Sequence, residues 1–334
     1  MSWLEPHWQR VTPVSVLLYP LSLLFRAAVA ARRAAYRAGL LETVRLPVPV
    51  IVVGNIAAGG TGKTPLVLWL AAFLRERGRT PGIVCRGYGG TASGPMAVAA
   101  DGDPGVCGDE PVLLAQRSGC PVWTGADRVA AGRALLAVRP GCDVIVSDDG
   151  LQHYRLARDV EICVVDGERG HGNGWLLPAG PLREPAARLA SVHAVVVNAG
   201  AGGGVLAPPG VPCFDMRLTG DEFQNLLNPG QRVPAGHFRG KRVHAAAGIG
   251  DPRRFFRHLE RLGIAFTAHP FPDHHAFGAA DLAFPGADAV LMTEKDAVKC
   301  LRFAAETNWV LAVDAIPDPR LGDLVLQQLG SVRG

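Results

Sequence analysis

The sequence predicts an α/β fold: a mostly parallel sheet flanked by helices, with a second, smaller α/β domain and an apolar helix at the amino end. Three observations carry this prediction. Short β-branched runs at 50–53, 143–148, 161–166 and 194–198 alternate with helix-periodic stretches, the order of parallel strands joined by helical crossovers. After a Gly/Pro-rich stretch at 200–212 the strand-then-helix pattern restarts. Residues 11–25 are almost wholly apolar and are followed by Arg26, Arg32, Arg33 and Arg37. The expected units are therefore 1–40, 41–212 with a carboxy-terminal return over about 304–334, and 213–303.

Composition narrows the class. A hydrophobic share of 48% with 41 Gly and 26 Pro suits a turn-rich globular chain, not disorder. The net charge of +4 is mild, and no aromatic-basic pattern or zinc-finger spacing accompanies it, so no nucleic-acid partner is expected. The 7 cysteines form no C-x-x-C pair and read as reduced core residues of a cytosolic protein.

In chain order, the apolar amino end comes first. Fifteen helical residues reach roughly 22 Å, short of a bilayer's ~30 Å core, and Pro13 and Pro20 weaken a spanning helix. Ala28-Val29-Ala30 resembles a signal-peptide cleavage site, but Arg26 intrudes before it and a nucleotide-type site follows. A helix lying in the cytoplasmic leaflet, its arginines meeting anionic headgroups, fits better; a helix packed on the protein's own core stays open.

The run 50–53 ends in a small-residue loop, Gly54-Asn55-Ile56-Ala57-Ala58-Gly59-Gly60-Thr61-Gly62-Lys63-Thr64, which opens a helix carrying Leu66, Leu70, Phe73 and Leu74. Strand, glycine loop and helix N-terminus in that order make a phosphate-binding loop, so the large domain reads as P-loop NTPase-like. Ala57 to Thr64 would line the phosphates, Lys63 would reach the β- and γ-phosphates, and the Thr64 hydroxyl would hold Mg²⁺. Ala57 stands where the strict pattern has glycine, and the turn is expected to rest on Gly59, Gly60 and Gly62. A second strand at 83–85 runs into Arg86-Gly87-Tyr88-Gly89-Gly90, a ligand loop or a plain turn. Gly108-Asp109-Glu110-Pro111 and Asp127-Arg128 open helices, where capping alone also favours acids. The run 143–148 ends in Asp148-Asp149-Gly150-Leu151-Gln152-His153, the acidic partner of Mg²⁺ downstream of a phosphate loop. Residues 172–184 form a loop richer than a connection needs. Farther on, Gly248-x-Gly250 reads as a turn with Asp251 as N-cap and Pro252 at the first helical position, before a helix burying Phe255, Phe256, Leu259 and Leu262. His274 and His275 sit in a loop with Asp273, as a surface pair or a proton shuttle.

The ordered set Gly-Gly-Thr-Gly-Lys-Thr-Pro, Arg-Gly-Tyr-Gly, Gly-Asp-Glu-Pro, Asp-Asp-Gly-Leu-Gln-His, Leu-Pro-Ala-Gly-Pro-Leu-Arg-Glu, Phe-Pro-Asp-His-His and Thr-Glu-Lys-Asp resembles the tetraacyldisaccharide 4′-kinase family over nearly the whole chain. The resemblance implies transfer of the ATP γ-phosphate to the 4′-hydroxyl of a tetraacyldisaccharide 1-phosphate, Mg²⁺ as metal, and a place on the cytoplasmic face of the inner membrane. By motif, Lys63 and Thr64 match the phosphate-loop lysine and Mg²⁺ hydroxyl. Asp109 matches the carboxylate taking the hydroxyl proton, and His274 matches its partner. Asp148 matches the metal carboxylate, and Asp149 its catalytic neighbour. Tyr88, Arg128, Gln152, His153 and Arg183 are candidates for phosphate or headgroup contact. No protein partner is implied. The alternative is a P-loop nucleotide switch acting on a protein, but Thr293-Glu294-Lys295-Asp296 lacks the Asn of a guanine-reading Asn-Lys-x-Asp.

Overall fold

The computed structural model describes residues 4–198 and 207–331. The helix α1 (Pro13–Arg37) opens the chain. There follow β1 (Val50–Gly54), α2 (Lys63–Glu76), β2 (Pro81–Cys85), β3 (Met96–Val98), α3 (Pro104–Cys107), α4 (Asp109–Ser118), β4 (Val122–Thr124), α5 (Arg128–Val138), β5 (Val144–Asp148), β6 (Val160–Asp166), β7 (Ala194–Asn198) and β8 (Cys213–Thr219). The remainder is β9 (Glu222–Asn225), β10 (Arg232–Pro234), β11 (Val243–Ala247), α6 (Pro252–Arg261), β12 (Thr267–Pro270), β13 (Ala289–Thr293), α7 (Glu294–Cys300), β14 (Asn308–Leu311), β15 (Asp314–Pro317) and α8 (Arg320–Ser331).

Among the described residues the strands form two sheets. The larger runs β15-β8-β7-β6-β1-β5-β2-β4-β3, parallel except for its two edge strands. The strands β1, β5, β6 and β7 are buried along their whole length, which is why they read as unbroken apolar runs and not as alternating ones. From β1 the chain crosses over α2 to β2, two places away, and β5 later fills the gap between them. Ligand crevices of open α/β sheets form at such places, at the carboxyl ends of the strands. The smaller sheet runs β10-β9-β14-β13-β11-β12 and has apolar cores on both faces.

The expected boundaries at 212/213 and 303/304 are corrected by strand pairing. The strand β8 pairs with β7 in the large sheet, and β14 pairs with β13 in the small one. The chain crosses between sheets after Thr219 and returns after Leu311, where a Cβ on Gly220 would stand 2.4 Å from the Ala312 carbonyl oxygen. The Gly/Pro-rich stretch that suggested a boundary joins two neighbouring strands of one sheet. Its Gly200–204 portion lies outside the described residues.

Helix α1 is longer than expected. Its 25 residues cover about 37 Å, with Thr12 and Ser15 forming a capping box, Pro13 in the first turn and Pro20 accommodated inside. Its face is inverted relative to a core helix. The buried positions are Ser15 and Ser22, whereas Leu17, Leu21 and Leu24 are exposed. Ser22 donates to the Leu176 carbonyl (2.8 Å), Tyr19 packs on Trp175, and Arg32 lies over Tyr154. Body contacts thus run from Tyr19, in the second turn of α1, to Tyr36, which packs on Tyr154 in the last.

Candidate active site

The glycine loop between β1 and α2 is held by strand ends. Asn198 at the end of β7 donates to the Thr61 carbonyl (3.0 Å), and Asn55 donates to the Gly59 carbonyl (3.3 Å). Gly59 and Gly62 adopt φ of +96° and +92°, so the turn rests on them as expected; Gly60 has no positive φ, which corrects its share of that expectation. Ala57 and Ala58 face away from the cavity into a short pairing with Leu182 and Pro181. An alanine at 57 therefore meets no steric demand for glycine.

Lys63, 14% exposed at the side chain, has its Nζ 3.5 Å from Asp149 Oδ1. Arg183 holds the same carboxylate at 3.1 Å. Burial works against ionisation of Asp149, but the two cations overcome it and hold the group at about 2. Its neighbour Asp148 is pushed up to about 7 by burial, by Glu110 and by Asp149, against the pull of Lys63 and Arg128. Asp148 is 3% exposed and its Oδ1 has no hydrogen-bond partner.

On the facing side, His274 Nδ1 lies 3.0 Å from Asp109 Oδ2, joining the loop after β12 to the first residue of α4. Asp109 Oδ1 accepts the Glu110 N–H at 2.9 Å. The His274–Asp109 hydrogen bond raises the His274 pKa above 6.5 against burial and Lys295, while the Asp109 pKa is lowered because His274 and Lys295 outweigh its burial. Among the described residues, Asp149 and His274 are the non-glycine positions with positive φ, one on each side of the cleft. Backbone strain of that kind gathers where function requires it. Around them lies a cavity of about 1740 Å³ bordered by Lys63, Thr64, Asp148, His274 and also by Phe25 and Val29 of α1. Asp109 is not on its wall; it stands one layer behind His274.

A model of the family described as LpxK, tetraacyldisaccharide-1-P 4′-kinase, matches residues 14–330. The chain belongs to this family. A tetraacyldisaccharide 4′-kinase of Azoarcus sp. (strain BH72) is 54% identical over 325 residues, covering 97% of this chain and 94% of the relative. One of Chromobacterium violaceum is 50% identical over 341 residues, covering all of both. A crystal structure of an "apo" form LpxK of Aquifex aeolicus in complex with ATP superposes with a TM-score of 0.82 at 29% identity, over 95% of this chain and 99% of that one. The activity is that of a tetraacyldisaccharide 4′-kinase in lipid A biosynthesis.

The kinase brings most of the sequence-derived site residues into the lining of one cavity, with different freedoms. Tyr88 is exposed, its ring 5.0 Å from His274. Gln152 donates to the Asn55 carbonyl (3.0 Å), steadying the phosphate loop. His153 is held neutral, at about 4, by burial and Arg128. Arg128 is 3% exposed and donates to the carbonyls of Gly125, Ala126 and Asp149; Arg183 holds Asp149 through Nη1, and both residues line the cavity. Asp251 stands at the N-cap of α6, as expected, but its side chain makes no capping hydrogen bond.

Other residues escaped the sequence reading. Lys295 reaches Glu110 (3.1 Å) across the cleft, and Arg117 pairs with Glu294 beside it. Asp296 of the same motif is fully buried and accepts from Gly248 N–H, Thr293 and Lys299, which leaves it no edge for reading a base. Asp166 and Asn198 each close an apolar run as Asp148 does, a signal that was available.

The loop geometry yields a test. Gly62→Ala puts a Cβ 2.6 Å from Asn198 Nδ2 at a positive φ, costing about 1–2 kcal/mol and displacing the Asn198–Thr61 bond. Fluorescence titration with an ATP analogue is expected to show at least about tenfold weaker binding; unchanged affinity would contradict this account of the loop.

Proposed function

We propose that this kinase moves the γ-phosphoryl group of ATP in line onto the 4′-hydroxyl of the lipid disaccharide 1-phosphate while it lies in the cytoplasmic leaflet of the inner membrane. The observation carrying this reading is one cavity lined at once by Lys63, by His274 and by Phe25, Ala28 and Val29 of α1.

ATP would sit with its phosphates in the loop, against the backbone N–H groups of the Gly59–Thr64 turn and Lys63. Thr64 and Asp148 suit a divalent cation, because Asp148 offers a buried, unpartnered carboxylate oxygen beside the loop. Mg²⁺ bound there would supply charge neutralisation for the phosphates. Lys63 stabilises negative charge developing on the transferred group, and Asp149 with Arg183 fixes where Lys63 points. The hydroxyl proton goes to the His274–Asp109 pair, which titrates as a unit. Because the two residues come from different sheets, the acceptor site is complete only when the cleft is closed.

The continuous contact of α1 with the body supports a helix lying along the membrane surface: a spanning α1 would draw the body into the bilayer. Acyl chains can then stay in the leaflet while the sugar reaches the cavity. Two experiments check the reading. Purified protein with ATP, Mg²⁺ and the disaccharide 1-phosphate should yield a bis-phosphorylated lipid, and absence of product would refute it. Leu17→Glu with Leu24→Glu, at positions 79% and 68% exposed, should weaken binding to anionic vesicles by about tenfold or more with little change in melting temperature. Undiminished co-sedimentation would exclude this face as the anchor.

A further inference from the structure

We infer that Asp166 is a positioning residue for phosphoryl transfer: it holds Arg169 against the phosphate loop and ties that hold to the seating of the small-sheet unit. Asp166 ends β6 and is 4% exposed. Its Oδ1 accepts the backbone N–H groups of Glu168 (3.0 Å) and Arg169 (3.1 Å). Its Oδ2 accepts from Arg169 Nε (3.1 Å) and from Arg254 Nη1 (2.8 Å), the latter on α6 of the other sheet. Arg169 in turn donates through Nη2 to the Gly60 carbonyl.

One carboxylate therefore joins three bodies: the strand end, the phosphate loop and α6. The link at Gly60 matters because a loop that binds phosphate must present N–H groups and keep its carbonyls turned away. A guanidinium fixed on that carbonyl does this. It is packed closely, since a Cβ on Gly59 would stand 3.0 Å from Arg169 Nη1. The small-sheet unit arrives at the same glycine, as a Cβ on Gly250 would lie 4.0 Å from Gly60 N and 3.4 Å from Asp273 Oδ2, beside His274. The Arg257–Glu168 pair (3.0 Å) adds a second tie, but both partners are largely exposed and it contributes little. Asp166 is absent from the cavity wall, whereas Arg254 is on it, so Asp166 acts through its arginines. When α6 is unseated, Asp166 loses one of its two cations and the clamp on Gly60 loosens.

The inference rests on the reading of this loop as the ATP site, and the test keeps the two apart. With the full chain and saturating lipid, ATP is varied for wild type, Asp166→Asn, Arg254→Met, Arg169→Met and the Asp166→Asn/Arg254→Met double variant. KM for ATP is expected to rise about tenfold in Asp166→Asn and about three- to tenfold in Arg254→Met, with KM for the lipid within twofold. The double variant should be no worse than Asp166→Asn alone. A merely structural Asp166 would lower the melting temperature and scale kcat with the folded fraction; unchanged KM for ATP, or additive effects, overturns the proposal. If Asp166→Asn does not fold, Arg254→Met and Arg169→Met decide it by the same split. A wild type without ATP-dependent product defeats the underlying reading instead.

Discussion

Replacing Asp109 with asparagine is expected to lower kcat by about 10²–10⁴-fold while leaving KM for ATP within about threefold. Asparagine keeps the shape and can still accept from His274 Nδ1, so the loss isolates the charge from the fold. The pH profile carries the sharper signature. A proton already on the pair blocks uptake of the hydroxyl proton, so wild-type kcat/KM for the lipid rises with pH through an apparent value above 6.5. The first cause of that raised value is the bond to Asp109; burial and Lys295 oppose it. Without the carboxylate those opposing effects dominate, and any residual activity should titrate below 6.5. The stability signs agree. The raised His274 value contributes stability that is full below 6.5 and fades as pH climbs through the folded value. The lowered Asp109 value contributes above 3.8 and is lost as pH falls through its own folded value. The contact closing the cleft is thus strongest between those limits. Full activity for Asp109→Asn, or an unmoved pH limb, would remove the pair from the chemistry.

What could be read from the chain beforehand depended on how local the determining physics is. The phosphate loop is a contiguous run, and strand, glycine turn and helix start each leave their own mark within fifteen residues. Asp148 could be read because it ends an apolar strand. Asp109 and His274 could not be joined by any local rule, since 165 positions separate them and capping alone explains an acid before Pro111; only the ordered family motifs linked them. Arg128 and Arg183 show a different limit. A cation near an acidic motif suggests a ligand contact, but nothing local reveals that Arg128 also holds the Asp149 carbonyl and Arg183 the Asp149 carboxylate. The boundary at 212 failed because Gly/Pro content marks a long connection, and a parallel neighbour such as β8 requires one just as a new domain does. The inverted face of α1 was also invisible: composition shows how apolar a helix is, but its contacts decide which side meets the protein.

Lys63→Met is expected to be the most damaging single change at the loop, with kcat lowered by about 10²–10³-fold or more at saturating ATP. The argument starts from the ligand-free charge arrangement. Asp148 and Asp149 are adjacent carboxylates with opposite fates, one pushed up to about 7 and the other held at about 2. Lys63 pulls both downward, and it is the cation placed to meet phosphate oxygens as well. Methionine keeps the stem of the side chain and removes the charge, so Asp149 retains Arg183 and the weaker pull of Arg128, and Asp148 is driven further toward its protonated form. Two losses then coincide. The transferred group loses a preorganised positive partner, and the carboxylate suited to the divalent cation becomes harder to ionise. Lys63→Arg should not restore the rate: a planar, longer guanidinium cannot present a compact charge where Nζ sits 3.5 Å from Asp149, and would displace Arg183 from it. The melting temperature should change little, because the lost ion pair is replaced by an apolar stem in a half-open cleft. Single-turnover rates at saturating ATP and lipid, beside thermal denaturation of each variant, make the comparison. A Lys63→Met enzyme within tenfold of wild type, or recovery by arginine, would mean that the loop binds phosphate by its backbone alone and that the charge of Lys63 is not used in the transfer.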